Sequence, residues 1–360
     1  MNMRLTYPDH RADPAGWARQ LGISRAAVDL YLASDVIDLH WDTYLWYRLL
    51  RYDPRRRHGH GVLGARLYSH VDIPRLREAC VSGAMWVITT NIWRRAARRA
   101  PIAVENVRHL QGLLEAMPAD VQVVRTAGEY RAARAAGKHA AWLAIQGGNA
   151  FDISLEALDL IPDDLVVRIT LVHLSSSRIG VTSSPLARGR GEGLSAFGCE
   201  FVRRLNAKRI FVDLAHINRA GFFDAVRVHD RTQPLLVTHT GIAGIHRHWR
   251  NVDDEQLRAV ADTGGVVGVM YQSSFLGDPY WGGRAEAIIR HLAHIVDTVG
   301  EDHAALGSDW DGLINPPRDL PTVLELPRLV EFMLRRGWSA ARIQKILGGN
   351  FLRALAMLRG

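Results

Sequence analysis

Val36-Ile37-Asp38-Leu39-His40-Trp41-Asp42 is an apolar run that stops at a histidine and a carboxylate two residues apart. Such a run reads as a buried strand of a parallel sheet, and the period-2 geometry of a strand sends His40 and Asp42 to the same side of the chain as it leaves the sheet. Alone the pair is weak, because a His-x-Asp surface turn arises easily by chance. Later apolar runs shift the balance by ending the same way: Trp142 to Gln146, Arg168 to His173, Ile210 to His216, Leu235 to His239 and Ala304 to Asp309. Polar groups gathered at the carboxyl ends of many parallel strands are how a (β/α)8 barrel builds a site, so the expected fold is a (β/α)8 TIM barrel.

Outward from that first run, eight strands are expected: Val36 to His40, Ala84 to Thr90, Ala141 to Gln146, Val166 to His173, Arg209 to His216, Leu235 to His239, Gly265 to Tyr271 and Ala304 to Asp309. Val121-Gln122-Val123-Val124 is strand-like but ends at Arg125-Thr126 with no chemistry of its own, and is left outside the eight. Helices are expected over Val104 to Met117, Tyr130 to Gly137, Leu194 to Asn206, Asp253 to Asp262, Arg284 to Val299, Leu326 to Arg336 and Ala340 to Leu358, where apolar residues recur at helical spacing. Asp13 to Leu32 reads as one or two short helices, with Pro14 near a start and Ser24 as an N-cap. The expected organisation is a helical extension, residues 1–34, followed by a single barrel, residues 35–360, and 360 residues suffice for one.

The formal charge of +8 draws attention to Arg94-Arg95-Ala96-Ala97-Arg98-Arg99 and Arg55-Arg56-Arg57-His58. No nucleic-acid-binding motif accompanies them, so no nucleic-acid partner is expected. Both patches follow early strands, which places them on the expected catalytic rim, where they could favour an anionic substrate. His58, His60 and His70 lie in the long connection after the first strand and read as solvated loop residues. Cys80 and Cys199 form no C-x-x-C pair, Met1 to Gln20 lacks an apolar signal core, and no run approaches transmembrane length. A cytoplasmic protein with no membrane partner is therefore expected, and a homodimer stays open.

His40, Asp42, His216 and His239 supply three imidazoles and a carboxylate from three strand ends, a donor set that suits zinc with a position open for water. Asp309 ends the eighth strand in Gly307-Ser308-Asp309-Trp310-Asp311-Gly312, where a carboxylate beside metal-bound water could move the proton. Asp311 competes for that role, and reads better as a group that orients a neighbour or caps the next turn.

From about Asp35 to Leu355 the chain resembles the membrane dipeptidase (renal dipeptidase) family, peptidase family M19, within the amidohydrolase-like barrels. The resemblance implies that His40 and Asp42 bind a first zinc and that His216 and His239 bind a second. It implies that His173 steadies the oxyanion of a tetrahedral intermediate, that Arg250 holds the substrate carboxylate, that Asp309 transfers the proton and that Tyr271 contacts substrate. Gly348-Gly349-Asn350-Phe351-Leu352-Arg353 matches the family's closing motif.

One departure stands out. The family's third strand ends in Glu-Gly-Gly, whose glutamate bridges both zinc ions, and here the sequence is Gln146-Gly147-Gly148. A glutamine carbonyl is a neutral, poor ligand, and losing the carboxylate leaves two divalent ions with less compensation. The expectation is a site that holds one zinc well and a second weakly. The first functional reading is a zinc-dependent hydrolase of dipeptides or related amides bearing a free carboxylate. A mononuclear hydrolase or lyase of another acidic small molecule is the alternative, with a metal-poor binding protein as a third reading.

Overall fold

The structure is a computed structural model that describes residues 5–60, 63–91, 93–185, 187 and 192–360. Of the polar opening stretch, residues 1–4 lie outside that description. The strands are β1 (Ile37–Trp41), β2 (Gly83–Thr89), β3 (Val121–Val123), β4 (His139–Gln146), β5 (Val166–Thr170), β6 (Phe211–Asp213), β7 (Leu236–Thr240), β8 (Val266–Val269) and β9 (Ala304–Leu306). Parallel pairing runs β2-β1-β9-β8-β7-β6-β5-β4, and β2 pairs with β4 to close an eight-stranded barrel. β3 lies outside the ring, as expected, and its place has a geometric reason. It pairs with β4 at residues 139–141, below the point where β5 joins the same edge at Leu143.

Nearly every barrel-strand residue is buried, as parallel strands covered on both faces must be. A smaller apolar cluster joins Met85, Trp142, Phe211 and Leu236 to Phe351, Leu355 and Leu358 of the last helix. The N-terminal helices Pro14–Leu21 and Arg25–Leu32 contribute Trp17, Val28 and Tyr31 to the main core. Ser24 caps the second of them through Ala27 N and is itself held by Glu331, which docks this extension on the helix Pro327–Arg335.

Two helices differ from the sequence reading. The one expected to start at Val104 begins at Ala96 and carries Pro101 inside it. The last is interrupted: α-helix over Ala340–Gln344, a π-turn over Lys345–Gly349, then α-helix over Asn350–Arg359. Asn350 Nδ2 explains the interruption, since it donates to Glu301 O (2.7 Å) and Ala304 O (2.8 Å) and draws this turn onto the start of β9. Gly348 allows the approach, because a Cβ there would collide with the carbonyl of Asp35 at the entry to β1.

His70 is a correction. Instead of a solvated loop residue it is wholly buried, receiving Asp311 N at Nδ1 (2.8 Å) and facing Ala65 O with Nε2 (3.0 Å). His58 is half-buried and stacked on Tyr52, while His60 is exposed. Among the described residues no helix is long and apolar enough to cross a membrane.

Candidate metal centre

Asp38 sets the end of β1. Its carboxylate accepts from His40 N (3.0 Å) and Ser308 N (3.0 Å), which fastens the exit of β1 to the exit of β9, and burial raises its pKa to about 6. Above that clamp His40 is fully buried, with Nε2 3.2 Å from Asp42 Oδ2 and 3.8 Å from Asp309 Oδ1. The His239 ring, at the end of β7, lies 3.8 Å from the His40 ring, centroid to centroid. His216, just beyond β6, places Nε2 2.9 Å from His239 Nε2. His216 and Asp309 both have left-handed backbones, φ 67° and 63°, so each turns sharply off its strand to reach the centre. Non-glycine residues held there cost about 1–3 kcal/mol and cluster at functional sites.

Three imidazoles and two carboxylates thus converge, and ligand atoms of His40, His239 and Asp309 lie within 4.8 Å of one another. Burial, reinforced by Arg250 and the neighbouring rings, holds His216 and His239 well below the ordinary histidine pKa. Two neutral imidazoles meeting nitrogen to nitrogen beside carboxylates fit a divalent cation, which would take the place of the proton His40 shares with Asp42. Burial alone would raise the Asp42 carboxyl, but His40 and the Thr89 hydroxyl (2.5 Å) bring it below its usual range.

A cavity of about 320 Å3 opens over this cluster, lined by Asp42, Gln146, His173, His216, Arg250 and Asp309 on its polar side. Trp249, Phe275, Tyr280, Leu313 and Ile314 form an apolar wall that the sequence reading missed; scattered over separate loops, they carry no periodic signal. Arg250 is nearly buried, and one of its N–H groups donates to His239 O (2.8 Å). Burial lowers its pKa to about 10 while Asp309 opposes the change. The Asp309 carboxyl is pushed well above its ordinary value by burial and by the Asp42 charge.

Gln146 lies in the cavity at the end of β4, where the Glu-Gly-Gly comparison places it. Its Nε2 is 2.5 Å from His173 Nε2, and its Oε1 is buried without a hydrogen-bond partner. Burial holds the His173 pKa down at about 4.

Tyr271 is placed differently from the expectation. It is wholly buried, its ring edge meets Trp310 and its hydroxyl has no partner, while its chain neighbours Met270 and Gln272 line the cavity. Residues 270 to 272 lie just past the end of β8, and there the side chain of 271 turns into the core while those of 270 and 272 face the cavity. The arginine patches do not line the cavity: Arg55 pairs with Asp53, Arg57 with Glu78 and Arg99 with Asp152, and the cavity takes its cation from Arg250. Asp311 orients neighbours, accepting from Thr43 Oγ1 (2.6 Å) and His70 N (2.9 Å). A larger cleft of about 620 Å3, bordered by Arg125, Glu129, Asp164, Arg209 and Arg359, holds no histidine and lies where strands begin. Its arginines are largely committed, Arg125 to Glu129 and Arg359 to backbone carbonyls, so the smaller cavity is the chemical one.

The family model for membrane dipeptidase (peptidase family M19) matches residues 24–358. The chain belongs to the membrane dipeptidase family. An uncharacterized protein in the pqqA 5' region of Klebsiella pneumoniae is 38% identical over 183 residues, which is 49% of this chain and 65% of that relative's length. Among solved structures, the metallopeptidase dipeptidase AC of family M19 superposes with a TM-score of 0.81 at 28% identity, over 91% of this chain and 99% of the other. A metallopeptidase from Rhodobacter sphaeroides, liganded with a phosphinate mimic of the dipeptide L-Ala-D-Ala, gives 0.78 at 28% identity, over 90% and 99%. Set within the membrane dipeptidase family, the polar side of the cavity gathers every implied site residue of this chain except Tyr271 and the deeper His40 and His239, which lie directly beneath it.

Proposed function

We propose that the chain is a metal-dependent hydrolase of dipeptides or related amides that carry a free carboxylate. The observation that carries this reading is the convergence of His40, Asp42, His216, His239 and Asp309 on one cavity that also contains Arg250. His40, Asp42, His216 and His239 would hold the ion, for which zinc suits the imidazole and carboxylate donors best. When bound, a zinc ion polarises the scissile carbonyl and lowers the pKa of water toward neutrality.

The side chains do the remaining work. Arg250 anchors the substrate carboxylate with paired N–H groups, which fixes the amide over the centre. Asp309, whose carboxyl burial and the Asp42 charge push well above its ordinary pKa, takes up a proton and passes it to the leaving amine. His173 is the donor for the oxyanion, a role that requires the substrate oxygen to displace Gln146 from its Nε2. The apolar wall excludes water and accepts the side chain next to the amide. Gln146 brings no charge to a bridge, so one ion is held well and a second weakly. That same substitution favours the second reading, a one-metal hydrolase or lyase of another acidic small molecule. Cys80 and Cys199 are both unpaired, which supports a reducing cytoplasmic setting.

Turnover of a dipeptide panel, each member also supplied with its carboxylate amidated, tests the proposal. Zinc-loaded protein is expected to hydrolyse free dipeptides, to lose about a hundredfold or more in kcat/KM on the amidated forms, and to stop after chelation. No hydrolysis of any dipeptide by the loaded protein would defeat it.

A further inference from the structure

An ion pair lies in the middle of the barrel, below the cavity, and the chemistry above does not use it. Arg168 on β5 and Asp213 on β6 are both fully buried, with Nη1 3.2 Å from Oδ2. Desolvating such a pair is costly, and apolar residues of similar volume would often serve stability as well or better. What the pair touches gives it a purpose.

On one side Arg168 reaches over to β1. Its Nη2 donates to His40 Nδ1 (3.0 Å) and to Leu39 O (3.4 Å), while Nη1 donates to Thr170 Oγ1 (2.6 Å). A guanidinium has no acceptor, so His40 Nδ1 must be accepting, which puts the proton of a neutral His40 ring on Nε2, facing Asp42 and Asp309. On the other side Asp213 accepts from Thr170 Oγ1 (2.7 Å), Thr238 Oγ1 (2.8 Å) and Thr238 N (3.0 Å). The single hydroxyl proton of Thr238 is therefore committed to Asp213. Its oxygen, 2.9 Å from His239 Nδ1, accepts from that ring, so His239 carries its proton on Nδ1 and turns a bare Nε2 toward His216.

We propose that Asp213, held in place by Arg168, is a positioning residue of the centre: through Thr238 it fixes the ring and tautomer of His239 and leaves Nε2 of that ring bare for a metal ion. The proposal rests on reading His239 as a metal ligand. Partners behind a ligand histidine fix its tautomer and ring orientation, and losing them typically weakens metal binding by about 10–100-fold.

The test uses the full chain as wild type, Thr238→Val and Asp213→Asn, each loaded with zinc and dialysed identically, then reloaded with cobalt(II) for its visible spectrum. Zinc affinity is expected to fall by about 10–100-fold in Thr238→Val, with a smaller loss in Asp213→Asn, and the cobalt bands should move in both. A wild type that keeps zinc, with variants of equal affinity and unchanged cobalt bands, overturns the proposal and leaves the hydrolase reading standing. A wild type that retains no zinc overturns that reading and the proposal with it. Should the variants fail to fold, nitrogen spectra of the 15N-histidine-labelled, chelator-treated wild type decide: Nδ1 is expected protonated on His239, and a bare Nδ1 on that ring overturns the proposal.

Discussion

Gln146 concentrates what is particular to this site. Its amide faces His173 and its carbonyl oxygen is buried without a partner, so the end of β4 offers polarity without charge. Gln146→Glu would place a carboxylate between the two groups of ligands, and the variant is expected to retain close to two metal ions per chain where the parent retains nearer one under metal-limited dialysis. A parent that already holds two ions, unchanged by the substitution, would show that no bridge is needed. Arg250 makes a separate prediction. Arg250→Lys keeps the charge but loses the fork, and kcat/KM on the best dipeptide should fall by about tenfold or more; equal values would remove Arg250 from the site. For Asp309, replacement by asparagine removes an exchangeable proton from an almost unchanged shape, so turnover should drop by about a hundredfold with metal retained. Loss of metal in Asp309→Asn would instead make this carboxylate mainly a ligand.

Elements show where sequence patterns carry information and where they stop. The strand ends were legible because each apolar run terminates in a group too polar for a core, and the barrel collects those groups at one face. Tyr271 was misplaced because facing is decided one residue at a time, and just past the end of β8 it is Met270 and Gln272 that face the cavity. His70 looked like a loop residue since its partner, Asp311, is remote in sequence, and the pairing of Arg168 with Asp213 has no local signal for the same reason. The closing Gly348-Gly349-Asn350 was legible only as a motif, and its physical basis is the π-turn pressed against Asp35. Gly348→Ala should therefore cost about 1–3 kcal/mol in urea unfolding, as overpacking at a close approach does, and an unchanged midpoint would contradict that contact. His139, at the start of β4, is buried, receives Trp86 Nε1 (3.2 Å), stands 3.0 Å from Val81 O, and is held by burial at a pKa of about 3. The unfolded chain binds a proton near pH 6.5 while the folded one refuses it, so stability is full above that pH and falls as pH drops toward 3. His139→Gln should flatten the loss between pH 7 and pH 4.5; an identical loss in both proteins would show that His139 does not contribute it.

At the scale of the whole molecule, the barrel brings together residues that the chain spreads from His40 to Asp309. A surplus of arginine does not by itself make an anion site: of the patches flagged by charge, Arg55, Arg57 and Arg99 are paired to carboxylates, while the nearly buried Arg250 faces the cavity. Everything proposed about the reaction depends on a divalent ion being held where β1, β7 and β9 end. Equilibrium dialysis of the full chain against zinc, followed by elemental analysis beside His239→Ala, measures that directly. At least one tightly held ion per chain is expected in the parent, with most of it lost from His239→Ala. A parent that retains no zinc or other divalent ion, or a variant that binds as well as the parent, would contradict it.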